Sequence, residues 1–124
     1  MATVRLGKVQ VRIMRELWRR GSATARELTA ALAAESPIAH STVQTLLRKL
    51  EAKGAVAHRV SERTFIFQPL ISEASVRRSA TEEFLNRLFG GSPSGLVAYL
   101  VKEEHLSKRE LRRIHDLIEQ EGKK

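Results

Sequence analysis

The 124-residue sequence contains no cysteine, which excludes disulfide bonds and thiolate metal sites. It also lacks any apolar run near the roughly 20 residues that a helix needs to cross a bilayer. The N-terminus does not have the long apolar stretch of a signal peptide, and no glycine-rich phosphate loop or His-Glu-x-x-His zinc motif occurs. We therefore expect a cytoplasmic protein that does not insert into a membrane and carries neither a metal nor another cofactor.

The charge is unevenly distributed along the chain. Hydrophobic residues make up 42% of the sequence and charged residues 29%, as expected of one folded domain or of two very small ones. The net charge is +8, and residues 1–70 account for +7 of it, with twelve Lys or Arg against five Asp or Glu. Residues 71–124 carry only +1. A basic N-terminal part favours a polyanionic partner, because neutralised phosphates release their condensed counterions.

Three helices and a β-hairpin are predicted in the first 70 residues. Apolar residues at spacings of three and four mark the helices, and Thr24 with Glu27 forms a capping box at the start of the second. Short runs rich in Val, Ile and Phe, separated by the polar tip Ser61-Glu62-Arg63, mark the hairpin. The predicted helices cover 7–20, 24–36 and 39–53, and the predicted strands cover 55–60 and 64–68. The side chains predicted to be buried between the helices are Trp18, Leu28, Val43, Leu47 and Leu50.

Three further helices are predicted after Pro69. The first covers 72–89, the second opens at Ser92-Pro93, and Ser107 caps the third. About 50 residues are too few to enclose a strong core alone, yet their apolar stripes are wide. A second copy of the chain would cover these stripes, whereas the rival interpretation packs them back onto the N-terminal part of a monomer. The residues predicted for dimerisation are Phe84, Leu85, Leu88, Phe89, Leu96, Leu100, Leu111, Ile114, Leu117 and Ile118.

Three helices followed by a hairpin form the winged helix-turn-helix arrangement. We predict a mainly α protein with a small β-hairpin wing, in which residues 1–70 form a DNA-binding domain and residues 71–124 form a three-helix dimerisation domain. The polar face of the third helix would enter the major groove of double-stranded DNA, where glutamine can pair with adenine and hydroxyl groups can contact base edges. The residues predicted to read bases are Ser41, Thr42, Gln44 and Thr45. Those predicted to contact phosphates or the minor groove are Arg48, Arg59, Arg63 and His58.

Several segments carry a resemblance to a known family. They are Ile13-Met14-Arg15-Glu16-Leu17-Trp18, Thr24-Ala25-Arg26-Glu27-Leu28, the stretch 41–54 from Ser41-Thr42-Val43 to Ala52-Lys53-Gly54, Leu88-Phe89-Gly90-Gly91-Ser92, and Leu106-Ser107. Over nearly its whole length the sequence resembles the penicillinase-repressor and methicillin-resistance-repressor family. The resemblance implies a cytoplasmic homodimer that represses transcription from palindromic promoter operators. It also implies control of β-lactamase or penicillin-binding-protein genes, with release by proteolysis after a membrane sensor protease detects a β-lactam.

The sequence departs from this family at three points. The C-terminal cysteine cluster of copper-responsive members is absent, which argues against copper sensing. Antibiotic-responsive members are cut at an Asn-Phe bond, and the matching position here is Tyr99-Leu100, which is therefore the candidate site of proteolysis. His40 stands where many members have a tyrosine, at the start of the predicted recognition helix.

An enzyme and a protein-interaction module are the alternatives. Ser41 beside His40, or Glu103-Glu104-His105, could suggest catalysis or metal binding, but adjacent helical side chains diverge and no third partner is evident. A winged helix that binds only proteins would not need an N-terminal charge of +7. RNA binding would call for aromatic platforms on the exposed face. The aromatic residues of the first 70, which all fit core positions better, are Trp18, Phe65 and Phe67.

Overall fold

A computed structural model describes residues 4–123, so the ends of the two predicted segments, residues 1–3 and Lys124, lie outside it. The helices are α1 (Lys8–Arg20), α2 (Ala25–Ala33), α3 (His40–Ala52), α4 (Glu73–Phe89), α5 (Pro93–Glu103) and α6 (Lys108–Gly122). The strands are β1 (Ala23–Thr24), β2 (Val56–Ser61) and β3 (Thr64–Pro69). By their contacts, the residues divide after Ala80 into two compact units. The functional boundary predicted at residues 70 and 71 stays a prediction.

The core of the N-terminal unit lies between α1, α2, α3 and the strands. Leu28, Val43, Leu47 and Leu50 are all completely buried there, which confirms four of the five predicted core side chains. Trp18 is only half-buried, so the prediction for it is wrong in degree. Its ring packs against the core while its indole Nε1 donates a hydrogen bond of 2.9 Å to the carbonyl oxygen of Ile71. An indole N–H needs such a partner when it leaves water, which keeps the ring at the edge of the core.

Local signals determine where α2 begins and where α3 ends. The Thr24 hydroxyl accepts from the Glu27 N–H at 3.1 Å, and the Glu27 carboxylate accepts from the Thr24 N–H at 2.9 Å, as the capping box predicts. After α3, Gly54 adopts a φ of +81°, which favours glycine. The Ala55 N–H then bonds to the Leu50 carbonyl at 2.9 Å, closing a Schellman motif that turns the chain from α3 into β2.

The β-structure is a three-stranded antiparallel sheet in the order β1-β3-β2. The sequence predicts only its β2–β3 hairpin, which we call the wing, because two residues of β1 are too few to show a period. Ser61 pairs with Thr64, so the tip has two residues and not three. Both of them, Glu62 and Arg63, have positive φ, which matches the twist of a two-residue hairpin.

The prediction that Phe65 lies in the core is also wrong, because its side chain on β3 is 48% exposed. Alternate residues of a strand point to opposite faces, and the core face of β3 is the one that carries Phe67, which is buried. By alternation Phe65 shares that face, but it lies closer to the tip of the wing, past Ile66 and Phe67, the two residues of β3 that pair with β1. It stacks on the ring of His58 in the neighbouring strand instead.

The C-terminal unit contains most of α4, together with α5 and α6. Ser92 accepts a hydrogen bond from the Gly95 N–H at 2.9 Å, and Ser107 accepts one from the Glu110 N–H at 3.1 Å, so both predicted N-caps are formed. Among the residues described, none in these three helices is buried. No helix between residues 4 and 123 is long and apolar enough to cross a membrane.

Candidate nucleic-acid interface

The two sides of α3 differ completely in chemistry and exposure. Val43, Leu47 and Leu50 have no exposed surface, whereas the four predicted base-reading side chains are exposed. Those four are Ser41, Thr42, Gln44 and Thr45. Their hydroxyl and amide groups can both donate and accept, which suits the mixed donor and acceptor pattern of base edges in the major groove.

A groove with a volume of about 800 Å³ runs beside α3 in the N-terminal unit. The start of α2, one side of α3 and the wing form its walls. It brings together four predicted site residues, namely Gln44, Arg48, His58 and Arg63. Arg59 is exposed on β2 and does not line the groove. The groove walls also include Thr24, Ala25, Arg26, His40, Leu47, Glu51, Ala52, Thr64, Phe65 and Phe67.

The arginines of this region differ from Arg19 and Arg20 of α1 in their pairing. Arg48, Arg59 and Arg63 form no ion pair with any residue between 4 and 123. In α1, by contrast, Arg19 and Arg20 both bond to Glu16, at 2.7 and 3.0 Å. These hydrogen bonds, that of Arg19 first, hold the pKa of Glu16 below its ordinary value. The charges of Arg48, Arg59 and Arg63, on α3 and the wing, are therefore open to a polyanion.

His58 is less free than the sequence suggests, because two groups hold its ring. Its Nδ1 lies 2.6 Å from the Glu51 Oε1 near the end of α3. Its ring stacks on Phe65 with centroids 4.0 Å apart and planes 8° apart. The ring thus ties the wing to α3 across the groove, and its predicted contact with DNA would be made from this fixed position.

Two groove residues, Arg26 and His40, were not predicted as site residues. Arg26 lies in the first turn of α2, where the helix N-terminus and a cation both favour a phosphate, and the helix-turn-helix order could have indicated it. His40 is the first residue of α3, and its Nδ1 lies 3.1 Å from the Thr29 hydroxyl of α2. No sequence pattern signals this contact, because the two residues are brought together only by the packing of α2 on α3.

The metal and catalytic alternatives gain no support from this geometry. Within residues 4–123, no group of three His, Cys, Asp or Glu side chains is arranged to hold a metal ion. Glu103, Glu104 and His105 lie where α5 ends and the following turn begins, and His105 has a φ of +48°. The predicted proteolysis residues Tyr99 and Leu100 lie inside α5, with the Tyr99 ring 5.9 Å from that of Phe89.

Comparison with known proteins agrees with this architecture. A family model described as penicillinase repressor matches residues 6–120. The penicillinase repressor of Bacillus licheniformis is 26% identical, over 93% of this chain and 90% of its own length. The methicillin resistance regulatory protein MecI of Staphylococcus aureus (strain N315) is 21% identical over 94% of each chain.

Among solved structures, the B. licheniformis BlaI monomer in complex with the blaP half-operator is similar, with a TM-score of 0.52 and 27% identity. The match covers 60% of this chain and 90% of that one. The family model matches residues 6–120 and the two units divide after Ala80, so the match extends through both units of the chain. The chain therefore belongs to the penicillinase repressor family, and it is a DNA-binding repressor and not an enzyme, as the sequence predicts.

Proposed function

We propose that this repressor binds a palindromic promoter operator as a homodimer, with α3 of each copy in the major groove and the wing beside it. The observation that carries the proposal is the two-sided character of α3, which is buried through Val43, Leu47 and Leu50 and polar and exposed on its other side. Unpaired arginines flank the polar side. In winged helix-turn-helix proteins the third helix is the element that enters the groove.

In this proposal Ser41, Thr42, Gln44 and Thr45 read base edges. The Gln44 amide can bond bidentately to adenine, and the Thr45 methyl can contact a thymine methyl. Replacing either by alanine should reduce the preference for operator over random duplex, by roughly 5- to 150-fold for a full bidentate contact, while the fold is retained. Gel shifts on the protein's own promoter measure this.

The matched control for Gln44→Ala is Gln68→Ala, which removes an exposed glutamine from β3 that does not line the groove. The control should leave operator preference unchanged. If both Gln44→Ala and Thr45→Ala kept the full preference, α3 would not be the reading element.

The proposed dimer rests on the apolar surface of residues 71–124. Leu88 and Ile118 are each 61% exposed, and Leu117 is 51% exposed. A second copy supplying the same three helices would cover these side chains, and two-fold symmetry would present two α3 helices to half-sites about 34–36 Å apart, or a multiple of that. The domain division at residues 70 and 71 follows from the same proposal.

Sedimentation of the full-length chain at micromolar concentration tests the dimer. Leu88→Glu and Ile118→Glu should each shift the protein towards monomer and weaken binding to the palindrome more than to a half-site. Leu70→Glu is the matched control, because Leu70 is 56% exposed in the N-terminal unit. A wild-type monomer that binds the palindrome at full strength would exclude the homodimer.

The regulated genes and the signal are proposed from the relatives. Relatives are named penicillinase repressor and methicillin resistance regulatory protein, so we propose control of β-lactamase or penicillin-binding-protein genes in the cytoplasm. Release would follow cleavage at Tyr99-Leu100 by a membrane sensor protease, which would first have to unwind α5. Mass spectrometry of the repressor from cells exposed to a β-lactam tests this route. A chain that stays intact while its genes are induced would rule it out.

A further inference from the structure

The hydrogen bonds of Thr29 determine the tautomer of His40, the first residue of α3. The Thr29 hydroxyl lies 2.7 Å from the carbonyl oxygen of Ala25 and 3.1 Å from the Nδ1 of His40. A carbonyl can only accept, so the single hydroxyl proton of Thr29 is donated to Ala25. The Thr29 oxygen must therefore accept from His40, which requires that the proton of the neutral imidazole sits on Nδ1.

This tautomer gives the other ring nitrogen a defined character. When Nδ1 carries the proton, Nε2 of a neutral imidazole is an acceptor. Among residues 4–123, the ring forms no hydrogen bond besides that to Thr29. The half-buried ring lines the groove, and Nε2 is therefore the polar atom it can offer to a ligand there.

The position of His40 matches that of a base-contacting residue. His40, Gln44 and Arg48 follow one another at intervals of four, so they occupy successive turns on one side of α3, and all three line the groove. The N-terminal residues of a recognition helix are the ones that reach base edges. In the major groove, an acceptor pairs with the N6 amino group of adenine or the N4 amino group of cytosine, and it is repelled by the acceptors of guanine.

We infer that His40 is a specificity-determining residue whose Nε2 accepts a hydrogen bond from the amino group of an adenine or cytosine in each half-site, and that Thr29 is the positioning residue that fixes its tautomer. The inference rests on the proposed function, because it needs α3 in the major groove. His40 would differ from the other polar residues of α3 in pairing only with hydrogen-bond donors of the bases. A hydroxyl or an amide side chain can pair with donors and acceptors alike.

The test starts from the palindromic duplex that the full-length wild-type protein selects out of a randomised pool. Every base pair of this duplex is then changed symmetrically in both half-sites, and affinities are measured at constant salt. His40→Ala should become indifferent at one base pair per half-site, where the wild type prefers one base pair over the others about fivefold or more. His40→Phe, which keeps the ring but has no nitrogen, should show the same loss and serves if the alanine variant folds poorly.

The Thr29 variants separate positioning from packing. Thr29→Val keeps the shape but cannot accept from Nδ1, so preference should fall at the same base pair, whereas Thr29→Ser should retain it. Replacing the selected adenine by purine, which lacks the N6 amino group, should weaken wild-type binding and leave His40→Ala unaffected. If cytosine is selected, a base analogue without the N4 amino group serves equally.

Three results would overturn the inference. The first is an unchanged base preference in His40→Ala and His40→Phe. The second is a uniform loss of affinity on all duplexes with a reduced salt slope, which would make His40 a phosphate contact. The third is wild-type binding that stays unchanged when the amino group of the adenine or cytosine in the affected base pair is removed. A wild-type protein that selects no sequence at all would instead refute the proposed function, together with this inference.

Discussion

Replacing Arg48, Arg59 and Arg63 together by alanine tests the electrostatic part of DNA binding. All three side chains are exposed, and none has an ion-pair partner among the residues described, so their removal leaves no buried or unpaired carboxylate behind. The fold should therefore survive, and the change should act on the complex with DNA. Each arginine that neutralises a phosphate contributes about 0.9 to the slope of log affinity against log salt.

The size of the effect follows from the number of contacts. Three contacts on a half-site predict that the slope falls by about 2.7, and two copies on a palindrome predict a fall of about 5.4. Between about 50 and 200 mM salt, wild-type binding to the palindrome should then weaken about two thousandfold more than binding of the variant. The loss should be nearly the same for operator and for random duplex, because phosphates carry no sequence information.

Fluorescence anisotropy with a labelled duplex at several salt concentrations measures both slopes. The matched control is the triple variant Arg78→Ala, Arg87→Ala and Lys102→Ala, which removes the same charge from exposed positions on α4 and α5, away from α3 and the wing along the chain. If the control changed the slope as much as the test variant, the effect would come from net charge alone. An unchanged slope in the test variant would remove these arginines from the interface.

Three other predictions concern stability and the wing. Leu47→Ala should lower the free energy of unfolding by ~2–5 kcal/mol in urea titrations, since it leaves a cavity at a completely buried site, whereas Leu70→Ala should change it little. Thr24→Ala should cost ~1 kcal/mol and Thr24→Ser much less. The hydrogen bond from the Thr24 N–H lowers the pKa of Glu27 below its ordinary value of 4.5. The stability that this hydrogen bond contributes is therefore present above pH 4.5 and is lost as the pH falls through the lower pKa of the folded state. Glu27→Gln should make the free energy of unfolding depend less on pH in this acid range. Glu62→Asn should stabilise by up to ~1 kcal/mol more than Glu62→Gln, because asparagine tolerates the positive φ while both variants remove the same charge; equal melting temperatures would contradict this.

The sequence predicts the elements whose signals are local. The apolar spacing through Val43, Leu47 and Leu50 determines both the helix and its buried side, and the capping residues determine where helices begin. The residues of α3 that do not share this buried side are then predicted to be exposed, and most of them are polar. For this reason the fold class and the exposed positions of the predicted reading residues follow from the amino-acid sequence alone.

The features that the sequence does not predict depend on contacts between elements. Strand β1 exists because Ala23 pairs with Phe67 of β3, far away along the chain. Phe65 lies past the two residues of β3 that pair with β1, and an aromatic residue in a strand pattern gives no indication of that. Likewise, the Thr29–His40 contact arises from the packing of α2 on α3, so the hydrogen bond that fixes the His40 tautomer depends on tertiary structure.

The chain divides its apolar surface and its charge between its two ends, and this division has a consequence for DNA binding. Every completely buried hydrophobic side chain in the part described lies between Ile13 and Val56, within the segment that also carries the charge of +7. The C-terminal helices have neither a buried core nor an excess of charge. A single winged helix with a few arginine contacts binds a half-site weakly, because most of that affinity is lost as salt rises. In the proposed dimer, the apolar C-terminal surface brings a second winged helix to the same duplex, and the resulting effective concentration supplies the missing affinity. An event that separates the two copies would then release the operator without altering any residue that contacts DNA.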